Sequence, residues 1–174
     1  MRRAVFSIIA TFALAACSTP GSLSMMYPEP LQAGSTIKSD TAIVLVGNGG
    51  SEVINYLQFV HNSLPAINAR GISLPPGGIV AIPVPIGTTG LSLSNYTTSG
   101  RPGGYLANGV ALGYVPVRTP PIDINSPGLY YAATIFPGQQ HNFEIKPPGS
   151  LLTKLRKERP EISDLKPVNF SWSN

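Results

Sequence analysis

The sequence predicts a mostly β protein: a single β-sandwich domain, immunoglobulin-like or prealbumin-like, with one short C-terminal helix, preceded by a signal peptide and a flexible tether. Three observations carry the fold class. Eighteen Gly and 18 Pro are scattered through 174 residues without a period, which excludes collagen and marks frequent turns. Between them lie apolar or alternating runs of strand length, rich in β-branched residues. One late segment alone carries leucines at helical spacing.

Thr41 to Val46 (TAIVLV) is a continuous apolar run, and Val53 to His61 (VINYLQFVH) is rich in β-branched and aromatic residues. Gly47-Asn48-Gly49-Gly50 between them is turn chemistry. Ile67 to Ile72 is a shorter strand candidate, followed by the turn Pro75-Pro76-Gly77-Gly78. In Ile79 to Ile86 (IVAIPVPI), Val80, Ile82, Val84 and Ile86 share one face while Pro83 and Pro85 share the other. Proline lacks the ladder donor, so this strand belongs at a sheet edge or a bulge. Leu91 to Tyr96 alternates with Leu91 and Leu93 inward, and Thr97 to Asn108 reads as a long mobile loop. Val110 to Val117, Gly128 to Phe136 and His141 to Lys146 complete the middle strands. Ser150 to Glu158 (SLLTKLRKE) is the helix, with Ser150 as N-cap, basic residues towards its C-terminal end and Pro160 as its stop. Pro167 to Trp172 reads as a closing strand with Val168, Phe170 and Trp172 on one face.

The N-terminus is organised differently. Arg2 and Arg3 precede an uncharged apolar run, Ala4 to Ala16, too short for the roughly 20 residues that span a bilayer. That is the pattern of a secretory signal. The run ends in Leu14-Ala15-Ala16-Cys17, which resembles the lipobox of bacterial lipoproteins. The resemblance implies cleavage between Ala16 and Cys17, a diacylglyceryl group on the Cys17 thiol and an acyl chain on its new amine. Ser18 in the following position implies sorting to the Gram-negative outer membrane, facing the periplasm. The expected organisation is therefore a signal at 1–16, a lipidated tether at 17–39 and the β domain at 40–174. Cys17 is the only cysteine, so no disulfide forms within the chain.

Charge and chemistry narrow the function. Loss of Arg2 and Arg3 with the leader lowers the formal charge from +4 to +2, which offers nothing to nucleic acid. No Gly-x-Ser-x-Gly elbow or phosphate-binding loop occurs. His61 and His141, both in expected strands, and the scattered carboxylates lack the spacing of a metal site or a paired-carboxylate hydrolase. No catalytic residue, metal or cofactor is expected beyond the lipid on Cys17. Two clusters are candidate partner contacts: Tyr96, Arg101, Tyr105 and Tyr114 around a Gly-rich loop, and Lys154, Arg156, Lys157 and Arg159 on the helix.

The pattern from Ser126 through Tyr130-Tyr131 to Ile135, then Pro137-Gly138, the Leu/Lys/Arg helix and Leu165 to Phe170 is similar to small proteobacterial lipoproteins of unknown function. The resemblance implies a β-sandwich core and an envelope location. The expected function is a non-enzymatic, membrane-anchored structural or interaction module with an envelope protein partner. The alternative is a lipoprotein that binds a glycan, peptide or lipid on its loops or edge strand.

Overall fold

The computed structural model describes residues 30–32, 34–62, 67–69, 72–101, 104–105 and 111–170. The expected signal peptide, with its cleavage site at Ala16 and Cys17, lies outside these residues, as does Trp172. The strands run β1 (Thr41–Asn48), β2 (Ile54–Val60), β3 (Ile67–Ala69), β4 (Ile79–Pro85), β5 (Ser92–Thr98), β6 (Gly104–Tyr105), β7 (Ala111–Leu112), β8 (Val115–Pro116), β9 (Leu129–Ile135) and β10 (Phe143–Glu144). Two short helices follow, α1 (Leu151–Glu158) and α2 (Pro160–Ser163).

Eight of the strands form two four-stranded sheets, ordered β10-β9-β1-β4 and β3-β2-β5-β8, and β6 and β7 pair as a separate ribbon. All pairings are antiparallel except β1 with β9. The fold is therefore mostly β with C-terminal helix. Gly47-Asn48-Gly49-Gly50 joins strands of different sheets, and its first two residues extend β1 instead of turning.

β1 explains its own sequence. Ala42, Val44 and Val46 enter a core shared with Leu57, Phe59, Leu93 and Tyr96 of the second sheet. Ile43 and Leu45 point the opposite way, into a second core with Leu151, Leu155 and Ile162 of the two helices. A strand apolar on both faces is one covered on both faces, so an unbroken TAIVLV run replaces alternation. β4 shows the companion rule: Val80, Ile82 and Val84 face the inter-sheet core, and Ala81 the helical layer.

Pro83 and Pro85 sit on a strand at the sheet edge, as expected. Even-numbered residues of this segment bond towards β1, since Gly78 O accepts from Asn48 N–H and Ile86 N–H donates to Asp40 O. Odd-numbered ones face outward, where Ala81 O accepts from Leu31 N–H at 2.8 Å. The two prolines thus occupy positions whose N–H would have had no strand partner.

Several expectations change at the ends of elements. Thr97 and Thr98 belong to β5 and are buried, so the chain remains a strand where a loop was expected. The Val110–Val117 run is two strands broken at Gly113, whose φ of +71° favours glycine. Pro160 ends α1 and occupies the first turn of α2, a position that needs no amide hydrogen. Ser150 stands at the N-cap of α1, but its side chain makes no capping bond.

The expected tether is partly integral: Leu31 and Ile37 pack on the helix-side core. The expected closing strand is replaced by an edge seal. Leu129 N–H donates to Lys166 O, Val168 N–H donates to Leu129 O, and the Asn169 side-chain amide bonds both the N–H and the C=O of Tyr131. An amide side chain carries both a donor and an acceptor, so it substitutes for a strand residue there.

Leu45 is fully buried between sheet and helices, and Leu45→Ala is expected to cost about 2–5 kcal/mol. Val60→Ala, at an exposed site, is expected to stay within about 0.5 kcal/mol. Urea denaturation midpoints of the two variants test this difference.

Candidate functional site

Of the sequence-derived tyrosine cluster, Tyr96 is placed in a strand and not on a loop. Tyr96 lies in β5 and is 1% exposed, a core residue facing the first sheet. Its hydroxyl accepts from Gly138 N–H, and its pKa is raised by burial and then by the charge of Glu52, against a lowering effect of Arg101. Glu52 accepts a hydrogen bond from the Thr98 hydroxyl. Arg101 is exposed and its N–H closes a turn onto Thr98 O. Tyr114 is half-buried and meets the Tyr56 ring edge-on at 5.3 Å and 71°. Tyr105 has its backbone in the β6–β7 ribbon, and its side chain lies outside the description. Tyr96 stands three residues beyond Leu93, and the register shift that leaves Ser94 as an extra residue brings both to the core face.

The basic cluster divides by role. Arg156 and Lys157 are exposed on the last turn of α1. Arg159 pairs with Glu161 and donates to Leu31 O at 2.7 Å, clamping the entering chain to the helical layer. Lys154 turns towards the sheet, where its ammonium donates to Gly77 O. The two histidines lie just outside strands: half-buried His61 follows β2, and exposed His141 precedes β10. Among the described residues no three His, Cys, Asp or Glu side chains group as metal ligands.

A different group of side chains converges beneath the first turn of α1. The register of β9 on β1 shifts between Leu45 and Val46, leaving Ala132 as an extra residue. A bulge of this kind reverses facing, so residues 131 and 134, three apart, come to the same side. Tyr131 and Thr134 both face the helical layer and hydrogen-bond through their hydroxyls. Gly47 lies opposite Thr134, and a β-carbon there would meet Thr134 Oγ1 at 2.9 Å. Glycine lets the threonine lie across β1.

Asn48 then turns the chain. Its side-chain amide, 2% exposed, donates to Glu52 O at 2.7 Å and Leu74 O at 2.9 Å, and accepts from Gly50 N–H at 3.0 Å. The turn at Gly77 and Gly78 is held beside it, because Gly77 N–H donates to Asn48 O. Between this turn, Tyr131, Thr134 and α1 lies a cavity of about 210 Å³. Among the described residues, Lys154 is the one charged side chain lining it. Burial holds the Tyr131 phenol up to about 12, with the Thr134 hydrogen bond opposing and the charge of Glu144 adding, so it is a neutral hydroxyl at any physiological pH.

This cavity was not legible in the sequence. The bulge that brings Tyr131 and Thr134 together depends on pairing with β1, and Lys154 reads as one of four helix cations. The available signal was Gly47, a glycine inside an otherwise apolar strand run, which marks a close approach.

No protein-family model matches the chain, and comparison with curated proteins finds no match.

The buried Tyr131 fixes a pH response. Its folded pKa lies above the unfolded value near 10, so the folded state keeps a proton that the unfolded chain releases. Its contribution is complete below pH 10 and declines as the pH rises towards 12, by about 1.4 kcal/mol per pH unit. Urea midpoints at pH 9 and 11.5 are expected to fall further for the parent protein than for Tyr131→Phe. Arg159→Met, which removes the clamp on Leu31, is expected to accelerate amide exchange at Leu31 while leaving β1 and β5 protected, as measured by hydrogen exchange.

Proposed function

We propose that the protein is a lipid-anchored envelope lipoprotein, attached through Cys17 to the outer membrane and facing the periplasm, that works as a non-enzymatic structural or interaction module. The observation that carries the proposal is the leader, with Arg2 and Arg3, an uncharged apolar run and Leu14-Ala15-Ala16-Cys17 in succession. Two acyl signals supply the lasting attachment that a single chain does not. The clamp of Leu31 between Ala81 and Arg159 supports the same reading, because it fixes the place at which an anchored chain would enter the fold.

The finer fold we assign is a prealbumin-like β-sandwich. An immunoglobulin-like sandwich keeps its first two strands in one sheet. In this chain β1 and β2 lie in different sheets, and β1 runs parallel to β9.

A protein partner in the envelope would meet polar and basic surface, of which exposed Arg101, Arg156 and Lys157 are the remaining sequence-derived candidates. The alternative, a ligand held by an aromatic cleft from Tyr96 to Tyr114, loses support with Tyr96 in the core.

The anchor is tested by Cys17→Ser in cells fed a radiolabelled fatty acid. Label is expected to disappear from the protein, and the protein to leave the membrane fraction. Membrane fractionation and labelling equal to the parent would contradict the proposal.

A further inference from the structure

The cavity beneath α1 has donors left over. Tyr131 and Thr134 are 3% and 8% exposed, and the hydrogen bond between them consumes one of their two hydroxyl hydrogens. Among the described residues, no other hydrogen bond holds either hydroxyl, so the second hydrogen lacks a protein acceptor. Buried hydroxyl donors are ordinarily satisfied. Lys154 places an ammonium at the same cavity with three hydrogens, one of them given to Gly77 O. The N-terminal turn of α1 also lines it, with no acidic residue in that turn and no side-chain cap. Tyr131, Thr134 and Lys154 thus bring donors to one side, and among the described residues no carboxylate lines the cavity. Glu144, whose charge reaches Tyr131, is not among its walls.

Ile79, Leu151 and Pro148 give the cavity an apolar side, and Asn48, Ser150 and the glycine backbones of the two turns complete the lining. At about 210 Å³ the space is below the roughly 300–1,000 Å³ of sites for drug-sized ligands. Donors at one side and hydrocarbon at the other match a small molecule with an acceptor-rich anionic head and a short apolar body.

We propose that this cavity binds a small aliphatic monocarboxylate, whose carboxylate lies against Lys154 and the Tyr131–Thr134 hydroxyl pair and whose chain lies against Ile79 and Leu151. The site is independent of the lipid anchor and does not involve the tyrosine loop. It makes the protein a binder of short-chain acids as well as an attached module.

The test is isothermal titration calorimetry of the protein, purified as cells produce it, with sodium butanoate, 1-butanol and inorganic phosphate. Butanoate is expected to bind saturably at one site, and 1-butanol at least tenfold more weakly. Lys154→Met keeps the stem and removes the charge, and is expected to weaken butanoate at least tenfold. Ser150→Trp, at the exposed rim, is expected to block binding, whereas Arg156→Gln, outside the cavity, should bind like the parent. Circular dichroism melts of each variant verify that the fold is kept. No saturable butanoate binding, or equal binding by Lys154→Met, would overturn the proposal. Phosphate binding as tightly as butanoate would overturn the carboxylate assignment, because it makes no use of the apolar wall.

Discussion

Both cores of this protein are built on β1. One of its faces is buried against the second sheet and the other against the helices, and along each edge it is paired with another strand. Residues 42 to 48 are all buried, so the strand has no solvent face to relax into. A register slip of one residue would exchange Ala42, Val44 and Val46 for Ile43 and Leu45 and mismatch both layers together. The neighbours are thereby constrained: β4 must present small or branched residues to each side, and β9 must approach closely enough that Gly47 opposite Thr134 has no side chain.

The terminal segments finish what the strands leave open. The outward side of β4 offers no N–H at Pro83 and Pro85, and its carbonyl at Ala81 is taken by Leu31. The open side of β9 is sealed by residues 166–169, with Asn169 acting through its side chain. Exposed ladder groups invite pairing with another chain, so each device keeps an edge from becoming a template. Arg159 links the two ends, since it joins the helical layer to Leu31 and pairs with Glu161.

Much of the β framework was legible because it obeys local rules. The apolar run at 41–46, the proline-bearing edge strand and the alternation at Leu91 and Leu93 each matched their burial. Leu151, Leu152 and Leu155 at helical spacing likewise predicted the inner face of α1, where Leu151 and Leu155 are buried and Leu152 is half-buried beside them. What escaped were features set by distant partners. Phe170 was expected in a strand, but it packs edge-on against Tyr131 at 6.0 Å in a segment paired through the Leu129 backbone and the Asn169 side chain. Thr97 and Thr98 look like loop residues beside Ser99-Gly100, yet pairing with β2 keeps them extended and buried. Tyr96 escaped for the same reason: aromatic residues near glycines suggest a surface, whereas Tyr96 follows the inward side of β5.

The proposed attachment rests on the lipobox-like sequence at residues 14–17, and the proposed acid site on the donor-rich cavity; neither requires the other. The cavity presupposes that sheet and helices act as one unit across β1, and native-state hydrogen exchange in increasing denaturant tests that most directly. The account predicts that the amides of β1, β9 and the buried turn of α1 at Leu155 are released together, with the denaturant dependence of global unfolding. Release of α1 in a separate opening, with β1 still fully protected, would contradict it.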